Sequence, residues 1–196
     1  MKTIVFLSGL CLSVFLQAQS SEKIIHYIHQ YAHYAVIEMY KYKIPASVTI
    51  AQAIIESGAG TSELAQQANN HFGIKCHADW EGMNYIQDDN EKTECFRKYF
   101  SVEESFRDHS LFITSRPRYK EVFNLPIYDY KAWCKKLKEC GYATQNEYSE
   151  KLIKIIEQYE LYKLDHLWIY DTEEEALSVL QQQVLKNMKR AGTGKI

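Results

Sequence analysis

Residues Ala51–Gly60 read AQAIIESGAG, and the fold is read outward from them. Val48, Ala51, Ile54 and Ile55 recur at helical spacing and build an apolar face, Ser47 stands where a cap is needed, and Gly58 and Gly60 stop the helix. Glu56 falls on its last turn, with two glycines beyond it that let a ligand approach the backbone. Partial burial and the negative end of the helix dipole both disfavour its anion. A carboxylic acid that keeps its proton near neutral pH can protonate the oxygen of a departing sugar.

On either side the chain is mostly helical. Upstream, Ile24, Ile28, Tyr31, Ala35 and Met39 predict a helix over Glu22–Lys43 that Pro45 ends. Downstream, Thr61 or Ser62 opens a short helix through Ala68. Between Phe72 and Tyr99 the rhythm changes, because Gly73, Gly82, Asp88, Asp89 and Asn90 punctuate short apolar pieces, which predicts a small β-hairpin lobe. Ser101 and Glu104 form a capping box before Phe106 and Ile113. Further helices are predicted over Asp129–Cys140, closed by Gly141, and over Asn146 to about Lys163, with Tyr148, Leu152, Ile155, Ile156 and Tyr159 facing inward. A last amphipathic helix starts at Glu173–Glu175, carries Leu177, Leu180, Val184, Leu185 and Met188, and would dock on the domain or on a protein partner. The class is mainly α (α+β).

Composition narrows the function. The 196 residues are 46% hydrophobic and 13% aromatic, too apolar for a disordered chain, and a formal net charge of −2 argues against an electrostatic nucleic-acid binder. Lys2 precedes an uncharged apolar run, Ile4–Leu16, and small or polar residues follow to Ser20. That pattern is a secretory signal over residues 1–20, too short for a span of about 20 apolar residues, and it predicts export to the periplasm, the cell envelope or the outside. In an oxidising compartment Cys76, Cys95, Cys134 and Cys140 pair, the shortest loops being Cys76–Cys95 and Cys134–Cys140. A metal site from Cys76, His77, Cys95 and His109 has no supporting spacing. His26, His29 and His33 share a helical face and read as a solvated stripe.

Six segments in order carry a resemblance: Ala51–Ala65, Asn69–Lys75 (NNHFGIK), Phe96–Tyr99 (FRKY), Ser101–His109 (SVEESFRDH), Arg116–Tyr119 (RPRY) and Gly141–Leu152 (GYATQNEYSEKL). From about Ile44 to Tyr159 the chain resembles the bacterial endo-β-N-acetylglucosaminidases, glycoside hydrolase family 73, which include the muramidase-like domain of the flagellar protein FlgJ. The resemblance implies a lysozyme-like helical domain with a β-hairpin lobe over residues 21–165, followed by an extension over 166–196. It implies cleavage of the β-1,4 bond after N-acetylglucosamine in peptidoglycan glycan strands, with no metal or cofactor required.

The family's catalytic acid falls on Glu56 and its supporting tyrosine on Tyr142. The family's second carboxylate, in the β-lobe, falls on Asp89, with Asp88 next and Glu91 after it. Asn70, Phe72, Trp80 and Tyr119 are the candidate sugar contacts. The separation of the two carboxylates would decide between retention and inversion, and the substrate's acetamido oxygen is a third candidate nucleophile. Two other functions fit the same residues: a lytic transglycosylase working with one glutamate, and a non-catalytic wall-binding or assembly module.

Overall fold

The computed structural model describes residues 7–78, 80–88 and 93–187. Its elements are α1 (Leu7–Tyr42), α2 (Ala46–Ser57), α3 (Glu63–Ala68), β1 (Asn84–Gln87), β2 (Glu94–Arg97), α4 (Val102–Ser115), a 3-10 helix (Pro117–Asn124), α5 (Tyr130–Glu139), α6 (Tyr148–Gln158), α7 (Tyr162–Asp165), a second 3-10 helix (His166–Ile169) and α8 (Glu173–Val179), which runs on into a π-helical turn (Leu180–Val184). Among the described residues the only sheet is β1–β2, antiparallel, with Tyr85 opposite Phe96 and Ile86 opposite Cys95. The fold is mainly α with a small β lobe, as the sequence predicts.

α2 is the centre. Every residue from Ala46 to Ile54 is buried, so Val48, Ile50 and Ile54 meet protein on all sides. Each such side chain stabilises the fold by about 1.5–3 kcal/mol. α1, α5, α6 and α7 surround it, and α4 packs on α1. Gly58 takes the left-handed conformation (φ 58°) and its N–H closes the helix on Ile54 and Ile55. A Cβ on Gly60 would stand 3.1 Å from the Tyr27 ring, which holds the exit loop against α1.

The start of α2 differs from expectation. Ser47 lies inside the helix rather than capping it, and Pro45 occupies the cap position without a side-chain hydrogen bond. The orphan donors are met by Asp165, whose Oδ1 accepts from the Ser47 N–H (2.8 Å) and whose Oδ2 accepts from its hydroxyl (2.6 Å). A fully buried helix start cannot borrow water, so the cap comes from the far end of the chain.

Asp165 reaches that place because the predicted helix to Lys163 is broken. Glu160 turns left-handed (φ 53°) and the Leu161 N–H caps Ile156, which ends α6 and redirects α7. α1 is longer than predicted, continuous from Leu7, and ends where Lys43 turns left-handed (φ 60°) ahead of Pro45. No helix among the described residues is long and apolar enough to cross a membrane. His29 and His33 are half-buried and only His26 is exposed, so the three do not form a solvated stripe.

The last segment joins the main core. Leu167, Ala176 and Leu180 are buried in it, and the Tyr40 hydroxyl of α1 donates to the carbonyls of Leu167 and Tyr170. Packing therefore does not divide at residue 165. Met188 and the tail to Ile196 lie outside the described residues, as does the segment before Leu7.

Cys76 and Cys95 form a disulfide, tying the segment after Ile74 to β2. Cys134 and Cys140 are free thiols, contrary to the predicted pairing. They lie six residues apart along α5 and its cap, a rise of about 9 Å, beyond the reach of a disulfide.

Burial pushes the Asp165 carboxyl up to about 7, with the Ser47 hydrogen bonds opposing it. The folded chain thus holds a proton that the unfolded chain releases, a contribution that is full in acid and lost as pH rises through about 7. Asp165→Ala, which leaves the Ser47 N–H buried without its acceptor, is expected to cost about 2 kcal/mol in urea unfolding. Wild-type stability in that variant would show that the cap is dispensable.

Candidate active site

A cleft of about 370 Å³ opens at the C-terminal end of α2. Glu56 and Ile55 form one part of its lining, Phe72–Lys75 and His77 another, and Phe112, Tyr142–Gln145 and Tyr148 the rest. Glu56 and Tyr142, far apart in sequence, are brought into one cleft, with Phe72 at its edge.

Glu56 as a whole is exposed, so a ligand can reach it. Its carboxyl end is nevertheless crowded by protein, and that end governs its protonation. Burial raises its pKa, and the hydrogen bond from the Tyr148 hydroxyl to Oε1 (2.7 Å) opposes the rise. Tyr148 is buried at the start of α6 and its oxygen also accepts from the Gln52 amide at 3.4 Å. Gln52 lies one turn before Glu56 on α2.

Tyr142 stacks on Tyr148, with ring centroids 5.8 Å apart and 26° between planes. Its hydroxyl has no hydrogen bond to another described residue. Burial first, and the nearby Glu56 charge second, push the Tyr142 hydroxyl well above the usual tyrosine range. Burial does the same to Tyr148, so both rings present neutral hydroxyls.

His109 lies beneath the cleft, fully buried, stacked on Phe72 at 4.0 Å and edge-on to Tyr142. Neither ring nitrogen has a hydrogen-bond partner among the described residues, and burial depresses its pKa to about 3. It is a neutral spacer that sets the separation of two cleft residues.

Three predicted sugar contacts lie elsewhere. Asn70 is buried and spends its side chain on backbone: Nδ2 donates to the Ile74 and Arg97 carbonyls, and Oδ1 accepts from the Phe72 and Ile74 N–H groups. It shapes the Gly73–Lys75 wall without touching the cleft. Tyr119 is wholly buried below Phe112 and Tyr142. Trp80 lies outside the cleft, covered by the Arg97 guanidinium at 4.6 Å and tied by its indole N–H to the Met83 carbonyl.

Asp89 and Glu91 lie outside the described residues. Asp88, after β1, accepts from the Thr93 N–H just before β2. Of the alternative metal set, Cys76 and Cys95 are consumed in the disulfide, and no group of three ligating residues that could hold a metal ion occurs among the described residues. Sequence reading missed Tyr148 and Gln52 as site residues. In sequence Tyr148 reads as part of the inward face of its helix, although its place in the Gly141–Leu152 segment is a signal, as is the one-turn spacing of Gln52 from Glu56.

Residues 32–161 match the family model described as mannosyl-glycoprotein endo-beta-N-acetylglucosaminidase. The exo-glucosaminidase LytG of Bacillus subtilis is 37% identical over 152 residues, covering 72% of this chain and 53% of LytG. The peptidoglycan hydrolase FlgJ of Pseudomonas aeruginosa is 30% identical over 132 residues, covering 61% of this chain and 33% of FlgJ. This chain thus spans about half the length of these curated relatives, or less. The glycoside hydrolase domain of Salmonella typhimurium FlgJ superposes with a TM-score of 0.59 at 25% identity, covering 83% of this chain and 97% of that domain. A peptidoglycan hydrolase from Sphingomonas sp. A1 superposes with a TM-score of 0.62 at 27% identity, covering 76% of this chain and 96% of that one.

Burial also pushes His71 down, to about 4. Both imidazoles stay neutral in the fold while the unfolded chain protonates them, so their contribution is present above about pH 6.5 and is lost as pH falls. Replacing His109 by Leu is expected to flatten the rise of unfolding free energy with pH between about pH 4 and 6 by up to 1.4 kcal/mol per unit. An unchanged slope would mean that His109 charges freely in the folded chain.

Proposed function

The chain belongs to the glucosaminidase family, and from that premise we propose that it hydrolyses the β-1,4 bond after N-acetylglucosamine in peptidoglycan, with Glu56 as general acid. The observation that carries the reading is the Glu56 carboxyl, reachable from the cleft and raised in pKa by burial. The relatives named as glucosaminidase and peptidoglycan hydrolases support the substrate class.

The glycan lies in the cleft with its scissile oxygen at Glu56. The carboxyl proton passes to that oxygen as the bond to C1 breaks. Water then adds its hydroxyl to C1 and returns a proton to Glu56, leaving a reducing-end N-acetylglucosamine. The Tyr142 hydroxyl, without a hydrogen bond to another described residue, is the proposed partner of the acetamido group or the incoming nucleophile. Asp89, which follows β1 in the sequence, is the proposed second carboxylate.

The apolar run Ile4–Leu16 after Lys2 supports export, and a wall substrate supports action outside the cytoplasm. The boundaries 1–20, 21–165 and 166–196 are retained as leader, glucosaminidase region and extension, the last two sharing one core. A protein partner at α8 would meet its outward face, since Ala176 and Leu180 are spent on the core.

Glu56→Gln is expected to cut turnover of purified sacculi by about 10³-fold with folding intact, and wild-type activity to fall as pH rises through the raised Glu56 pKa. Mass spectrometry should find reducing-end N-acetylglucosamine among the products. Asp89→Asn should be a smaller lesion than Glu56→Gln and a larger one than Asp88→Asn. Undiminished turnover by Glu56→Gln would end the proposal, and anhydro-muramic ends would replace hydrolysis with transglycosylation.

A further inference from the structure

Three side chains form a hydrogen-bonded chain that ends in the cleft. The Gln52 amide donates to the Tyr148 oxygen, and the Tyr148 hydroxyl donates to Glu56 Oε1. Gln52 and Tyr148 are buried, and Oε2 of Glu56 has no hydrogen bond to another described residue. A neutral carboxyl group has one carbonyl oxygen and one hydroxyl oxygen, and which is which matters for proton delivery. The carbonyl oxygen is the stronger acceptor of the two, so a fixed donor favours the oxygen it faces as the carbonyl one.

We propose that Tyr148, oriented by Gln52, is a positioning residue that assigns the catalytic proton of Glu56 to Oε2. By donating to Oε1, Tyr148 keeps that oxygen as the acceptor and leaves the acidic hydrogen on the other, the one without a protein partner. Gln52 fixes the direction of the chain. Its Nε2 occupies a lone pair of the Tyr148 oxygen, so the phenolic hydrogen is left for Glu56. The Gln52 carbonyl oxygen, buried and without a hydrogen-bond partner, would compete for that hydrogen if the amide were reversed. The proton would then sit on Oε1, pointed at tyrosine instead of sugar.

This inference rests on Glu56 being the acid, so the experiment separates the two. Other titratable groups lining the cleft are Tyr142 from the segment after α5, and Lys75, ion-paired with Glu94, and His77 from the opposite wall. They are common to wild type and variants, so differences between pH profiles report on Glu56. Wild type, Glu56→Gln, Tyr148→Phe and Gln52→Met are compared on sacculi for kcat, KM and the pH dependence of kcat/KM, with thermal unfolding alongside.

Tyr148→Phe is expected to lose about tenfold or more in kcat with KM nearly unchanged. Its alkaline limb should move to higher pH, because a donor to the carboxylate has been removed. Gln52→Met should move the same way by less, and it carries the test if Tyr148→Phe fails to fold. An unmoved limb, a limb displaced to lower pH, or a change confined to KM would overturn the proposal. An active Glu56→Gln variant would instead overturn the assignment of the acid.

Discussion

The structure depends on keeping a helix dry from its first residue. α2 is enclosed on all sides, so its first N–H groups cannot be left to solvent, and Asp165 supplies acceptors from 118 positions away. That one contact locks the start of α2 to α7 and closes the chain on itself. The opposite end of the same helix opens on the cleft. A helix clamped at its N-terminus and packed along its length holds Glu56 at the cleft with little freedom, as the proposed proton transfer requires. Cys134, whose thiol is pushed up to about 12 by burial and then by the nearby Asp165, stays an inert part of this packing.

Around Glu56 the protein has assembled a layer of neutral aromatic groups, while Lys75, paired with Glu94, also lines the cleft. Tyr142, Tyr148, Phe72, Phe112 and His109 touch one another in a continuous layer, and burial holds the tyrosines and the histidine uncharged. In such surroundings the proton of a carboxylic acid is retained without help from a neighbouring anion. Further ionic contacts occur one layer away. Arg107 meets Glu38 between α4 and α1, and Arg97 meets Asp108 beside the β lobe, where the Tyr99 hydroxyl also donates to Asp108.

The β lobe is held by specific links rather than by a core of its own. Its small cluster is Leu64, Ala68 and Phe96 with Tyr85 alongside. The disulfide and the Asn70 clamp tie the cleft wall to β2, and the Arg97–Asp108 pair ties β2 to α4. Asn70 and Trp80 looked like sugar ligands because amides and indoles serve that purpose in open grooves. In this fold the Asn70 amide is hydrogen-bonded to backbone carbonyls and N–H groups and the Trp80 indole N–H to a backbone carbonyl.

Local chemistry made much of this legible from sequence. Apolar spacing marked α2, Gly58 marked its end, Ser62, Ser101 and Asp129 marked helix starts, and Glu56 stood out as an acid where an apolar helix meets two glycines. These features depend on residues within a turn or two of one another. What required the folded chain was every pairing across distance: Asp165 with Ser47, Tyr148 with Glu56, and the burial that separates Tyr119 from Tyr142. The break at Glu160 belongs to the same class, since a left-handed non-glycine residue is tolerated only where packing of Leu161 and Leu164 offsets its cost. Sequence determined which segments could be helices and that a carboxyl stands at the end of α2, because those are short-range properties. Only the tertiary structure decided which hydroxyl faces that acid, because the partner of a buried polar atom is chosen by the chain's path through space.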